Sequence, residues 1–555
     1  MRTRVLAAVL LIAAAVMLAV AVRGPASPSV APRGGLEIVP INPHALAALE
    51  AQGKTLNDTP TIGVNHGRKF NPRGDLVPAL ATPEEQRVLV LFVDFSDEPP
   101  GGPTQRLDLS YFDDMLFGTT YDPPEYAAYP GHPTGRTLVN YFKEASFGQV
   151  DIVTPDLPTS TGWLNVGKPY SYYCRADGVH DNGFGPFPEN AQGLAVDAIN
   201  AADAQGVDFS QYAVDGVVPN LFIVHAGTGA EWSGDPGVIW SHSWSGADVG
   251  EGYTIDGVTF YSYAMMPEVG GDLTGFTGDV FGPYPPTVGV YAHEYGHVLG
   301  LPDQYDYGYE SEGTGMFSLM AGGSWNQSSP DWIFAGDSPS MLDAWSKYRL
   351  GLITPKTVTS TSAVTLKPAE TDPVAYKMVV PGSGGKECFL FENRQNIGFD
   401  QGLQTYYLDA GGNVVVAPVH GLVVYHVDDC VFTLNYWLPN EAENWKEFRS
   451  EGWRKAPNGA RHYAISVVQA DDLWDLEHGY NAGDPGDPYP GWYNVTKLGN
   501  TTRPNTSSYY FWLGNMPKYG YSGVTASDIK ETGTRVSVTL SFRPWRSTAS
   551  ATSKH

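Results

Sequence analysis

Cysteine is scarce. The 555 residues hold three, Cys174, Cys388 and Cys430, with no C-x-x-C pair. That excludes a cysteine-built zinc site and a multi-bridge scaffold. Cys388 and Cys430 could close one disulfide, which would leave Cys174 free. Basic residues are also few: 34 Lys and Arg against 60 Asp and Glu give a formal net charge of −26. A surface of that sign repels phosphate backbones, so nucleic acid is not an expected partner. The acidity reads as solubility, with some carboxylates available to calcium. Only 17% of the residues are charged, so solvated faces must rely on Ser, Thr, Asn, Gln and Tyr. Glycine (63) and proline (43) are plentiful, which favours long loops over helical bundles.

Long apolar runs are missing after the first 23 residues. Arg2 and Arg4 precede an apolar run from Val5 to Val22, followed by Arg23 and a Gly/Pro/Ala/Ser stretch. This is the pattern of an export signal. The run is close to the roughly 18 residues at which a spanning helix becomes possible. Residues 1–23 are therefore read as a signal peptide or an N-terminal anchor, and the protein as secreted or held by that segment. Residues 24–86 are Pro-rich and polar and read as a pro-segment or linker.

What is present begins with Arg87–Phe95 (RVLVLFVDF), an apolar, β-branched run that suits a buried strand. Helical patches at Thr137–Ala145 and Asn190–Ala204 alternate with strand-like runs at Gln149–Thr154, Leu221–His225 and Gly237–Trp244. A mixed sheet with packed helices is expected over 87–355. After Pro355 short strand-like runs recur at Thr357–Leu366, Ala375–Val380, Glu387–Glu392, Val414–Val416, Gly421–Val427, Ala464–Val468 and Arg535–Phe542. Residues 356–542 thus read as a mainly antiparallel β domain, and the Ser/Thr-rich 543–555 as a disordered tail. The fold class is α+β.

The chemistry lies in YAHEYGHVLGLPDQYD (291–306). His293 and His297 are four apart, so on a helix they share one face and can reach one zinc ion. Glu294 beside the first ligand can stay off the metal and serve as general base to a water on it. Gly300 can end the helix in a left-handed turn and Pro302 stops it from resuming. The returning chain can bring Asp303 in as third ligand; Asp306, Glu310 and Glu312 lie near enough to serve instead.

This stretch resembles the active-site signature of the immune inhibitor A family of secreted metallopeptidases, metzincin-like zincins with HExxHxxGxxD. Further segments resemble that family too, among them LVNYFKEASFGQV (138–150), LFIVHAGTGAEWSG (221–234), SLMAGGSW (318–325), PSMLDAWSKYRLGLITP (339–355) and FLFENRQNIGFD (389–400). The resemblance spans roughly 85–490. It implies a zincin-type catalytic domain, one catalytic Zn2+, hydrolysis of peptide bonds in protein or peptide substrates, and a pro-segment removed on maturation. It also implies a methionine turn under the metal, matched here by Met320. An edge strand would pair with extended substrate, with Val238–Trp244 as the candidate. Tyr305, Tyr307 and Tyr309 are candidates for a hydroxyl that steadies the oxyanion.

The chain departs from the family where an aspartate-rich, calcium-loop-like stretch is expected. QYAVDGVVPN (211–220) keeps only Asp215 and Asn220 as oxygen donors. A second candidate for calcium is GDPGDPYPG (483–491), through Asp484 and Asp487. His426, Asp428 and Asp429 invite a further metal site, although a strand-borne histidine is more often a core residue, and the same holds for His225 and His242. Trp325 and Trp345 read as core. A monomeric enzyme is expected. A scaffold kept for binding without turnover would be expected to lose the glutamate or a histidine, and both are present. A zinc hydrolase of non-protein substrates fits the motif but not the resemblance.

Overall fold

The computed structural model describes residues 34–38, 40, 84–101, 106–122, 133–154, 162–245, 252–270, 286–330, 332–434, 438–441, 462–510 and 520–543. The N-terminal apolar run, most of 24–86 and the tail beyond Arg543 lie outside the described residues. Among the described residues no helix is long and apolar enough to cross a membrane.

The sheet that carries the site has six strands: β1 (Gly34–Ile38), β2 (Leu89–Asp94), β3 (Leu164–Asn165), β4 (Leu221–Thr228), β5 (His242–Ser245) and β6 (Ser262–Val269). Their spatial order is β1-β5-β6-β4-β2-β3. β2, β4 and β6 run parallel, while β5 is antiparallel to β6. Near-continuous burial of β2 and β4 follows from their unbroken apolar runs, because a parallel sheet is covered on both faces. The covering helices start where capping residues stand. Thr137 Oγ1 accepts from Asn140 N (3.2 Å) ahead of Leu138–Ala145, and Asn190 Oδ1 accepts from Gly193 N (2.9 Å) ahead of Ala191–Ala204.

Two expectations about the edge fail here. Of Gly237–Trp244 only His242 onward is strand. The preceding backbone bonds to loops instead: Trp240 N donates to Asn182 O (3.2 Å) and Ile239 O accepts from Ala230 N (2.9 Å). Nor is this segment a free edge. β1 pairs antiparallel with β5 in the register Leu36↔Trp244, Glu37↔Ser243 and Ile38↔His242. Just beyond, Trp325 Nε1 donates to Pro40 O (2.8 Å).

Past residue 355, a five-stranded sheet takes the order Lys356–Thr357, Tyr376–Val379, Glu387–Arg394, Gly421–Asp428, Ile465–Val467, antiparallel apart from its first pair. A four-stranded antiparallel sheet (Ser362–Leu366, Arg535–Phe542, Val524–Thr532, Leu498–Gly499) packs on it. Side-chain alternation divides the larger sheet between two cores. Cys388, Leu390, Val423, Tyr425 and Val427 join the core beneath the metal-site helix; Phe389, Phe391, Leu422 and Val424 face the second sheet. The first core therefore continues past residue 355 without a break. The suggested Cys388–Cys430 bridge is absent and all three thiols are free. Cys388 points into the first core, where burial pushes its thiol up to about 12.

Candidate metal centre

HExxH lies on the helix Val288–Val298, every residue of which is buried. Such all-round burial suits its composition, which lacks a charged outer face. The helix ends at the expected place. Gly300 takes φ +98°, Gly300 N donates to His297 O (2.8 Å) and Leu301 N to Gly296 O (3.0 Å).

The turn then delivers Asp303. His293 Nε2 and His297 Nε2 are 3.0 Å apart, and Asp303 Oδ1 stands 3.0 Å from the first and 3.4 Å from the second. Each histidine engages a backbone carbonyl through Nδ1, His293 with Leu319 O and His297 with Leu301 O, both at 2.9 Å. Carbonyls only accept, so each ring proton sits on Nδ1 and each Nε2 presents a lone pair. Two lone pairs and a carboxylate oxygen thus converge with no hydrogen between them. A tetrahedral zinc bound at 2.0–2.1 Å sets its ligand atoms about 3.3 Å apart. The three atoms fit that spacing, and the group could hold a metal ion. Burial, first among the causes, lowers the His293 pKa and keeps the ring neutral, as ligation requires.

The surroundings fix each donor. Tyr307 Oη donates to Asp303 Oδ2 (2.6 Å), leaving Oδ1 turned to the histidines, and Tyr307 N donates to Glu441 Oε1 (2.8 Å). Met320 is fully buried under the helix. A Cβ on Gly296 would lie 2.5 Å from its sulfur, so glycine is required for this approach. Gln304, next to Asp303, donates from N to Met320 O (2.7 Å) and from Nε2 to Asp343 Oδ2 (3.0 Å). Ser318 Oγ reaches the same Asp343 oxygen (2.8 Å). Beneath lies Arg394, wholly buried on the strand Glu387–Arg394. Its Nη1 donates to Phe317 O (2.8 Å), its Nη2 to Ser340 Oγ (2.8 Å), and its Nε and Nη2 grip Asp400 (2.7 and 2.8 Å).

Of the alternative third ligands, Asp306 Oδ1 accepts from Gly308 N (3.0 Å), and neither Glu310 nor Glu312 belongs to the cluster. Glu294 is wholly buried on the same helix. Tyr305 stacks on Tyr307 with ring centroids 5.1 Å apart. His225 and His242 are core residues bonded to Ala226 O and Trp240 O, and burial lowers them to about 4 and about 3. His426 pairs with Glu387 (2.8 Å) and Asp428 with His462 (2.6 Å); among the described residues these and Asp429 form no metal cluster. Asp215 and Asn220 form none either; Asn220 Nδ2 is spent on Arg87 O (3.0 Å). Trp325 packs edge-on against Trp232 and Trp345 stacks on Phe432. Asp484 and Asp487 do meet, together with Asp471. Sequence reading passed over Gln304, Asp343, Arg394 and Glu441. The available signal was the position of Asp343 and Arg394 inside family-like segments.

Glu231 braces the strand next to the site. It is fully buried and accepts from Ser241 Oγ (2.7 Å) and Ser241 N (3.0 Å), and burial raises its carboxyl to about 7. A raised carboxyl favours folding below its unfolded pKa, near 4.5, and that contribution is lost as pH climbs through about 7. Thermal melts of Glu231→Gln should therefore lose less stability between those pH values than the parent. Parallel curves would remove Glu231 as the titrating group.

A buried HExxH helix on a mixed sheet, with a carboxylate closing the group and a methionine below it, defines a metallopeptidase catalytic domain. Residues 77–352 match the family described as immune inhibitor A peptidase M6, catalytic domain, and through this domain the chain belongs to the immune inhibitor A peptidase family. It is 34% identical to immune inhibitor A of Bacillus thuringiensis subsp. alesti over 271 residues, 43% of this chain and 36% of that protein. It is 29% identical to the pre-pro-metalloprotease PrtV of Vibrio cholerae over 289 residues, 47% of this chain and 29% of that protein. The chain thus spans about a third of the length of these relatives.

Proposed function

We propose that the chain is an exported zinc endopeptidase whose metal is held by His293, His297 and Asp303. The convergence of His293 Nε2, His297 Nε2 and Asp303 Oδ1 within 3.0–3.4 Å carries this reading. When bound, zinc would polarise the scissile carbonyl and acidify the attacking water. Glu294 takes the proton from that water as its oxygen joins the carbonyl carbon, then passes the proton to the amine as the C–N bond breaks. Tyr307 holds Asp303 rather than the oxyanion. In this reading 87–355 is the zincin-type catalytic unit and 356–542 the β-rich support under it.

The outer edge of β5 is proposed as the rail for extended substrate. Residues 34–38, within the pro-segment read from the sequence, lie along that rail in strand pairing, and their removal would open it. A casein-digestion assay tests both points. Activity should be abolished by a chelator, be restored by zinc, and rise when residues before Glu84 are removed. Chelator-resistant digestion would sink the zinc reading, and full activity with the N-terminal segment intact would sink the covered rail.

Tyr307→Phe should weaken zinc binding about 10–100-fold, the usual cost of losing a partner that orients a ligand. Competition with a chromophoric chelator reads this directly. Unchanged zinc affinity would show that the Tyr307–Asp303 bond does not position the ligand.

A further inference from the structure

The two histidines of the metal centre ride on a helix, whereas Asp303 stands on irregular backbone: residues 301–314 form neither helix nor strand. A side chain on a loop is placed only as well as its loop is held, because no regular ladder fixes the backbone there. The groups that bond the loop around Asp303 therefore decide how well that carboxylate meets the two rings.

Two of those groups come from far along the chain, in residues 438–441. Asn440 is wholly buried. Its Nδ2 donates to Gln304 O (2.8 Å), directly after Asp303, and to Ile465 O (3.0 Å), while its Oδ1 accepts from Ile465 N (3.2 Å). Toward Ile465 the side-chain amide thus exchanges both bonds that a neighbouring strand would make, and Ile465 begins the outermost strand of the five-stranded sheet. Pro439 O accepts from Ala464 N (3.1 Å), and Leu438 is buried in the core beneath the metal-site helix. The segment is seated on the sheet before it reaches the loop.

Glu441 makes the second contact. Its Oε1 accepts from Tyr307 N (2.8 Å), and the Tyr307 hydroxyl donates to Asp303 Oδ2 (2.6 Å). One contact fixes the residue after Asp303, and the other fixes the residue that orients its carboxylate. Across the loop, Gly313 at φ +59° comes so near that a Cβ there would lie 1.8 Å from Gln304 O. Thr314 N donates to that same oxygen (3.0 Å), so Gln304 O is held from two sides.

We propose that Asn440 and Glu441 are positioning residues for the third zinc ligand, so that the metal centre is complete only with this C-terminal segment in place. The inference rests on the zinc reading above and deepens it. Asn440 acts through the backbone of Gln304, and Glu441 through Tyr307. Losing either contact frees the loop, and Asp303 Oδ1 no longer stands at the spacing the ion needs.

Zinc affinity of the full chain, read by competition with a chromophoric chelator, tests this without turnover. Glu441→Ala should weaken zinc about tenfold, while Glu441→Gln, whose amide oxygen still accepts from Tyr307 N, should stay within about twofold of the parent. Because Glu441 acts through Tyr307, adding Glu441→Ala to Tyr307→Phe should cost much less than Glu441→Ala costs alone. Asn440→Ala should weaken zinc by a similar factor; if it does not fold, the half-buried Glu441 decides. Melting temperatures of the metal-free chains separate placement from packing. Variants that melt lower yet bind zinc as tightly as the parent, or losses at Glu441 and Tyr307 that simply add, overturn the proposal. A parent without zinc affinity would overturn the zinc reading and this inference together.

Discussion

Replacing Glu294 by glutamine lowers kcat for peptide hydrolysis about 10²–10⁴-fold, the range that a positioned general base contributes. The amide matches the carboxylate in size, so the fully buried side chain keeps its packing on the helix. It cannot accept the proton from water or return it to the leaving amine. The ligand atoms belong to other residues, so zinc content should stay at the parent level. KM should change little, because in the proposed mode the substrate would be held by the strand edge and not by Glu294. A variant within about tenfold of the parent would show that another group is the base.

The second large effect is on stability. Arg394→Ala should cost about 3–5 kcal/mol, the usual penalty for removing one partner of a buried ion pair. Asp400 would lose its bidentate partner, and Glu392, 3.2 Å from Nη1, would lose its cation in the same buried space. Phe317 O and Ser340 Oγ would lose donors as well. Against a total stability of roughly 5–15 kcal/mol, such a loss is large. Phe317 lies three residues before Met320, so the floor under the histidines should loosen with it. Denaturant melts should show a lower midpoint, and activity should fall in parallel. Arg394→Lys should not rescue, since an ammonium cannot reproduce the fork onto Asp400 while reaching Phe317 O. A variant that melts with the parent would mean that the C-terminal strand does not hold the metal centre in place.

How far the sequence could be read depended on the distance over which each feature is determined. The site helix, its glycine stop and the return of Asp303 are local: spacing of four, a left-handed turn at Gly300 and a proline settle them within about ten residues. The covered edge was not legible, because the strand beside His242–Ser245 is Gly34–Ile38, some 200 positions earlier, and β pairing leaves no local trace of its partner. Arg394 was passed over for a related reason. An arginine near a strand end ordinarily reads as a solvated side chain, and only the fold shows it buried among Asp400, Glu392 and the carbonyl of Phe317. The strand Val524–Thr532 escaped detection because its bulge between Ser527 and Lys530, with Asp528 at φ +54°, breaks the period-two pattern. Conversely, Glu387–Arg394 was readable as a buried strand, but not the fact that its alternate residues serve two different cores.

Metal content decides most directly whether His293, His297 and Asp303 form a zinc site. The purified chain should carry one zinc ion per molecule by elemental analysis, and His293→Ala and Asp303→Ala should each leave it with well under one. A parent chain without stoichiometric zinc, or substituted chains that keep it, would contradict the assignment of these three side chains and the peptidase reading with it.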